Sequence, residues 1–305
     1  RGRGVRQVAA GNEFSAVLTE SGEVWAAGYN KFGTCGVGRK VQVVRQPSLV
    51  SGLEGRRPSA IWAANGCEQL LVLTEEGELL TCGFNSAGQL GHSGRAHAYA
   101  PRPVCGPLAH LRVRTAAVSY KHMLALTCDG SVYAWGNNVY GQLGLGRTNS
   151  SVAEPVEVDA LAGRGVVSLA CGYYHSAAVL ATGEVLTWGR NDFHQLGLGR
   201  DVDATSEPTQ VDLPVLGWGA DGADGTEGTE GASAPELAAQ VACGYYHTGV
   251  VLASGRAVFW GRNDFGQCGM GHREMVPTPA VAQLPESHPV RSLALGTYFS
   301  LAVTH

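Results

Sequence analysis

The chain has 305 residues, 44% hydrophobic and 16% charged, with a formal net charge of −4, which is enough for one large domain or two ordinary ones with a sizeable core. No apolar run approaches the roughly 18 residues of a membrane span, the Arg-Gly-Arg-Gly start lacks a signal peptide's apolar centre, and the net charge offers no global basic field to nucleic acid. Glycine, at 43 residues, is about twice its usual share of roughly 7%, which argues against a long-helix protein and for many tight turns.

Three marked points recur along the chain. The first falls at Gly11, Gly66, Ser119, Gly172, Gly244 and Gly296. A turn glycine follows 11 residues later (Gly22, Gly77, Gly130, Gly183, Gly255) and a third marker 17 residues after the first (Gly28, Gly83, Gly136, Gly189, Gly261). Within one unit, Val167–Cys171, Ser176–Leu180 and Val185–Trp188 read as three short strands. The second and third are joined by Ala181-Thr182-Gly183-Glu184, a hairpin whose glycine can take positive φ. A fourth strand is expected after a proline in each linker, following Pro47, Pro103, Pro155, Pro208 and Pro279, with a sixth unit begun at Pro279 and ending at His305. Four antiparallel strands per unit is the content of a propeller blade. One such sheet cannot bury both faces, so blades pack on one another around an axis.

The spacing therefore predicts an all-β chain: a β-propeller of four-stranded antiparallel blades over residues 1–305. Six blades are visible, and seven are expected if the chain belongs to a longer protein. The step between the fourth and fifth units is 72 residues where its neighbours are 52 to 55, and the excess falls at about 217–235. Its glycines recur every third residue, with Asp221, Asp224, Glu227 and Glu230 among them and no proline to support a collagen helix. It reads as a flexible acidic loop.

The chemistry-bearing residues mostly find structural explanations. The eight cysteines show no Cys-x-x-Cys, and Cys35, Cys82 and Cys268 stand where sister units carry Leu or Trp. They read as small buried apolar residues in a reducing compartment, so an intracellular setting is expected, cytoplasmic or nuclear, a cytoskeletal or ciliary one included. Asn30, Asn85, Asn138, Asn191 and Asn263 each follow the third marker by two residues and read as turn formers. His122, His175 and His247 share a position that holds Phe14, Gln69 and Phe299 in other units, which suits packing and hydrogen bonding rather than catalysis. There is no Gly-x-Ser-x-Gly, His-Glu-x-x-His or phosphate-loop sequence, and the Gly-x-Gly-x-x-Gly at Gly217–Gly222 leads into the acidic loop rather than a helix. No enzyme, cofactor or metal is expected.

Gly-Tyr-Tyr-His-Ser-Ala-Ala-Val-Leu (172–180), Gly-Glu-Val-Leu-Thr-Trp-Gly (183–189) and Gln-Leu-Gly-Leu-Gly (195–199) closely resemble the repeat of the regulator of chromosome condensation family. The resemblance covers essentially the whole chain and implies a β-propeller, usually of about seven blades. It also implies a choice of functions. One is a non-catalytic protein–protein interaction scaffold within a larger assembly. Another is guanine-nucleotide exchange on a Ran-like small GTPase, as in the founding member. The plant ultraviolet-B photoreceptor shares the repeat too, but places tryptophan where this chain has Tyr173 and Tyr245.

The positions between the first marker and the His position vary most between units, as a recognition surface would. They include Asn12, Glu13, Glu68, Tyr120, Lys121, Tyr173, Tyr174, Tyr245, Tyr246 and Tyr298. A short turn near the axis would present them together on one face, an aromatic patch flanked by charge and suited to partner contact. The competing expectation is that the tyrosines plug the central channel. The expected partners are other proteins, a small GTPase among the candidates, with neither membrane nor nucleic acid.

Overall fold

A computed structural model describes residues 4–64, 66–214, 236–285 and 288–304. The acidic glycine-rich segment at 217–235 lies outside the described residues. The described residues form five four-stranded antiparallel sheets and one two-stranded sheet. The first comprises β1 (Val5–Ala10), β2 (Phe14–Thr19), β3 (Val24–Tyr29) and β4 (Val43–Leu49), the second β5 (Pro58–Trp62), β6 (Gln69–Thr74), β7 (Leu79–Gly83) and β8 (Ala98–Pro103). The third comprises β9 (Val113–Val118), β10 (His122–Thr127), β11 (Val132–Asn138) and β12 (Asn149–Glu157), the fourth β13 (Val166–Cys171), β14 (His175–Leu180), β15 (Val185–Arg190) and β16 (Ala204–Val211). The fifth holds β17 (Ala238–Cys243), β18 (His247–Leu252), β19 (Ala257–Gly261) and β20 (Val276–Val281), and the sixth β21 (Val290–Leu295) with β22 (Ser300–Thr304). These are the blades of a propeller.

The first strand of every blade faces a central cavity of about 850 Å³, with Ala117, Leu169, Val241 and Leu293 in its wall. The second strands β6, β10, β14 and β18 are buried at every residue. A neighbouring blade covers each face, so these strands read as continuous apolar runs such as Leu70–Leu73 and Met123–Leu126. In β2 the pattern alternates, with Ser15 exposed between buried Phe14 and Ala16.

Two expectations are corrected. The fourth strand does not follow its proline but contains it: Pro47, Pro155 and Pro208 sit inside β4, β12 and β16, and Pro103 ends β8. The register explains why. Gly28 pairs with Val44 while Ala26 pairs with Ser48, so a bulge in the outermost strand takes up the extra residues, Pro47 among them. A proline lacks an N–H for the ladder and is tolerated at such an edge bulge. Pro279 likewise belongs to β20, so the sixth blade starts at Val290, not at the proline.

Buried histidines tie successive blades together. His122 Nε2 lies 2.9 Å from Ser176 Oγ in the next blade, His175 Nε2 2.9 Å from Thr248 Oγ1, and His247 Nε2 3.0 Å from Ser300 Oγ. Each hydroxyl donates its single proton to a carbonyl, that of Gln142, Gln195 or Gln267, at 2.7–2.8 Å. It must therefore accept from the imidazole, which fixes the neutral tautomer with the proton on Nε2. Nδ1 of His175 and His247 is buried with no acceptor, so a second proton has nowhere to bond. Burial accordingly lowers His122 and His175 to about 3 and His247 to about 4. The ring packs against the first marker: a Cβ on Gly172 would stand 2.0 Å from His175 Cε1, while the third blade carries Ser119 there with its hydroxyl 2.8 Å from His122 Nδ1.

The indoles complete the same joints. Trp135 Nε1 donates to the Gln89 carbonyl at 2.8 Å, Trp188 to Gln142 at 2.9 Å and Trp260 to Gln195 at 2.8 Å, in each case reaching into the preceding blade. Each turn asparagine is equally committed: the Asn191 side-chain oxygen accepts the Leu196 N–H at 2.8 Å, and Asn263 does the same for Cys268 at 2.9 Å. All eight cysteines are free. Burial pushes the Cys35 and Cys67 thiols up to about 11, so they serve as packing groups rather than nucleophiles.

Candidate functional site: an aromatic face

The turn between the first and second strands of each blade is tight. Gly172 N–H donates to the His175 carbonyl at 2.8 Å and Gly244 N–H to that of His247 at 2.9 Å, leaving only two residues at the tip. With the following histidine anchored in the core, those two side chains have no room inside and project from one end of the ring.

They divide by position. The first of each pair turns inward. Tyr120 and Tyr173 stack at 5.1 Å with 17° between planes, and Tyr173 and Tyr245 at 4.6 Å with 27°. The Tyr245 hydroxyl reaches across to blade two, where a Cβ on Gly66 would lie 1.4 Å from it. Tyr120, Tyr173 and Tyr245 all border the central cavity. Burial and the neighbouring phenols push Tyr173 well above the usual tyrosine range, and burial raises Tyr174 and Tyr245 also, so these three remain phenols near neutrality. This inner trio lines the cavity.

The second residues turn outward. Tyr174 meets Tyr140 at 5.1 Å, Tyr246 meets Phe193 at 4.8 Å and Tyr298 meets Phe265 at 4.8 Å. Two arginines lie over these pairs. The Arg190 guanidinium sits 4.9 Å from the Tyr140 ring and 5.9 Å from Tyr174, and Arg262 sits 5.0 Å from Phe193, 5.7 Å from Tyr246 and 5.6 Å from Tyr298. Each is also held by a carboxylate, Asp192 on Arg190 Nε at 2.8 Å and Asp264 on Arg262 Nε at 2.7 Å. The guanidiniums are thereby held over the rings with their charge balanced.

The remaining sequence candidates fall on the other arc. Lys121 lies over the Tyr120 ring at 5.1 Å. The Asn12 N–H donates to the Cys67 carbonyl at 2.8 Å, and its side chain bonds Glu68, whose carboxyl is raised chiefly by burial. Glu13 is exposed and holds a left-handed φ of 59°. Sequence reasoning passed over Tyr140, Arg190, Phe193, Arg262 and Phe265. The signal was present: Gly-Arg-Asn-Asp-Phe occurs at both 189–193 and 261–265. It also missed a cluster on the first two blades, where Phe32 packs on Phe84 at 4.9 Å and Phe84 stacks on His97 at 5.2 Å.

Chemically, this face offers aromatic surface, phenol hydroxyls and balanced ion pairs. The histidines lie buried, each with its Nε2 bonded to a hydroxyl, out of reach of a substrate. Among the described residues no group of His, Cys, Asp and Glu is placed to hold a metal ion. No helix among them is long and apolar enough to cross a membrane.

Known proteins carry the same architecture. The chain is 29% identical to the ultraviolet-B receptor UVR8 of Arabidopsis thaliana over 99% of its own length and 63% of the receptor. It is 30% identical to the secretion-regulating guanine nucleotide exchange factor of Mus musculus, over 97% of this chain and 63% of that protein. It therefore spans less than two thirds of either relative. The crystal structure of human WBSCR16 superposes with a TM-score of 0.85 at 25% identity, over 99% of this chain and 72% of that one. Residues 238–267 and 254–303 match the regulator of chromosome condensation (RCC1) repeat. Residues 1–216 match the RCC1-like domain, and with the six blades and their shared joints this places the chain in the RCC1-like domain family.

Proposed function

We propose that the protein is a non-catalytic protein–protein interaction scaffold that receives a partner on its aromatic face. The observation carrying this reading is the outward trio Tyr174, Tyr246 and Tyr298, each packed on a second aromatic ring and none withdrawn into the core. Interface hot spots favour tyrosine and arginine held rigidly before the partner arrives, because little side-chain entropy remains to be lost. The inner trio Tyr120, Tyr173 and Tyr245 lines the cavity, which leaves the outward trio to make the contact on this reading. The test is capture from the native source with wild type and with Tyr174→Ala/Tyr246→Ala, after circular dichroism and thermal melting show the same fold. Loss of at least one specific partner is expected. Identical capture by both proteins would refute the reading.

A second reading, nucleotide exchange on a Ran-like small GTPase, is favoured by the likeness to the mouse exchange factor. On the scaffold reading, release of a fluorescent guanine nucleotide from such a GTPase stays at its intrinsic rate when this protein is sub-stoichiometric. Multiple-turnover acceleration would establish the alternative.

A further inference from the structure

We propose that the loops over the first three blades, at the same end of the ring as the aromatic face, form a docking site for a short acidic segment of a partner protein. The first ground is the charge of one repeated stretch, which runs from the turn asparagine to the fourth strand. Residues 30–42, 85–97 and 138–149 contain no Asp or Glu, whereas Lys31, Arg39, Lys40, Arg95 and Arg147 stand there and all are exposed. The matching stretches of the fourth and fifth blades, 191–203 and 263–275, carry Asp192, Asp201, Asp203, Asp264 and Glu274. Two positions reverse their sign. Lys31 follows Asn30 where Asp192 and Asp264 follow Asn191 and Asn263, and Lys40 follows Arg39 where Asp201 and Glu274 follow Arg200 and Arg273.

The second ground is that these cations are positioned without being neutralised. Among the described residues none of them enters an ion pair, whereas Arg190 and Arg262 are held by Asp192 and Asp264. Their backbone is pinned by the turn asparagines. Asn85 Nδ2 donates to the carbonyls on either side of Arg95, those of Gly94 and Ala96, each at 2.9 Å, and Asn138 Nδ2 donates to that of Arg147 at 2.9 Å. The loops also rest on the next blade: Lys40 Nζ lies 5.4 Å from the Tyr99 ring, the Gly38 N–H donates to the Tyr99 carbonyl at 2.8 Å, and Arg95 Nη2 donates to Ser151 Oγ at 2.7 Å. Glu13 and Glu68 border the arc at the strand turns, and Glu68, bonded by the Asn12 side chain, feels the charge of Lys31.

The chemistry of the occupant follows. Cations without counter-ions on adjacent loops suit carboxylates set along an extended chain, drawn in by the field they share. Phe32, Phe84 and His97, packed 4.8–5.2 Å apart where the first two blades meet, give its apolar side chains a platform. The segment must be short, because past the third blade this end of the ring presents Asp192, Asp201 and Asp203. A nucleic-acid duplex would run onto those carboxylates, and the chain as a whole carries −4. A second copy of this chain has less to offer, since its Asp192 and Asp264 are already held by arginines.

The test uses fluorescein-labelled decaglutamate, titrated against the protein and followed by anisotropy, with decaglutamine as the uncharged control. Saturable binding of decaglutamate is expected, at least about tenfold tighter than that of the control. Arg39→Ala/Arg147→Ala should weaken it about fivefold, whereas Arg200→Ala/Arg273→Ala, at the same repeat position beside Asp201 and Glu274, should change it less than about twofold. Lys31→Asp, which installs the acid of the later blades, should weaken it more than Lys31→Ala. Circular dichroism establishes that each variant keeps the fold. The proposal is overturned if decaglutamate does not bind at about 1 mM or if the two arginine pairs weaken binding alike. It is equally overturned if an equally charged DNA duplex binds more tightly, or if sedimentation shows a dimer that Lys31→Asp dissociates. Tyr174 and Tyr246 are untouched, so failure here leaves the proposed function standing.

Discussion

The joints between blades differ along the ring. From the third blade to the sixth, each joint is a histidine bonded to a hydroxyl that is bonded to a carbonyl. Between the first and second blades the same place is filled by Phe14, with Leu70 and Cys82 where later blades have Ser or Thr and Trp. Between the second and third, Gln69 reaches the Phe84 carbonyl at 3.1 Å and Met123 supplies only apolar surface. One backbone therefore accepts an oily joint or a polar one, and in the polar one the Nε2–hydroxyl–carbonyl chain is complete while Nδ1 of His175 and His247 stays unpaired. The polar version adds direction, and with it sensitivity to protons.

Cutting an indole should show the largest difference between the two halves. Trp188→Ala removes a fully buried ring and its bond to Gln142, and should cost about 3–5 kcal/mol in urea unfolding. Cys82→Ala at the matching place on the apolar side should cost about 1 kcal/mol. Equal losses would show that the joints do not differ energetically.

Acid should act most on the polar half, although burial also lowers His92 and His97 of the second blade. His122, His175 and His247 titrate at about 3 to 4 when folded and near 6.5 when unfolded, so the unfolded chain binds protons first as pH falls. Their contribution is complete above pH ~6.5 and is lost as pH drops toward the folded values, at up to about 1.4 kcal/mol per histidine per pH unit. Unfolding midpoints recorded from pH 7.5 to 4.5 should fall steeply, and replacing all three histidines with the glutamine found at Gln69 should flatten that fall. A variant profile as steep as wild type would place the acid sensitivity elsewhere.

Smaller effects are expected on the face. Arg190→Ala removes the stacking on Tyr140 and Tyr174 and should cost about 0.5–1 kcal/mol of stability. Asp192→Asn, which unpairs a half-exposed ion pair, should cost under about 1 kcal/mol. Thermal melts of both variants, compared with Lys121→Ala on the opposite arc, would show whether the arginine arc is the more rigid one.

Much of the fold was legible because glycine spacing is a local rule. Gly28, Gly83, Gly136, Gly189 and Gly261 all adopt positive φ, from 101° to 116°, where another residue would be strained. The fourth strands were misplaced because a proline reads as a boundary in sequence, whereas an edge bulge lets it lie within the strand. Tyr120, Tyr173, Tyr174, Tyr245 and Tyr246 could be grouped by their shared position. Arg190 and Arg262 share the repeated Gly-Arg-Asn-Asp-Phe but were passed over, because the turn asparagine beside them already explained that loop.

The sequence by itself settled the phase of the first three strands of each four-stranded blade, since these follow from contacts within a few residues. Tertiary structure alone decided that Tyr173 turns inward while Tyr174 turns outward, and that His175 finds its hydroxyl 73 residues away on Thr248. Those choices depend on how wedge-shaped sheets crowd around an axis, a constraint that exists only once the neighbouring blades are in place.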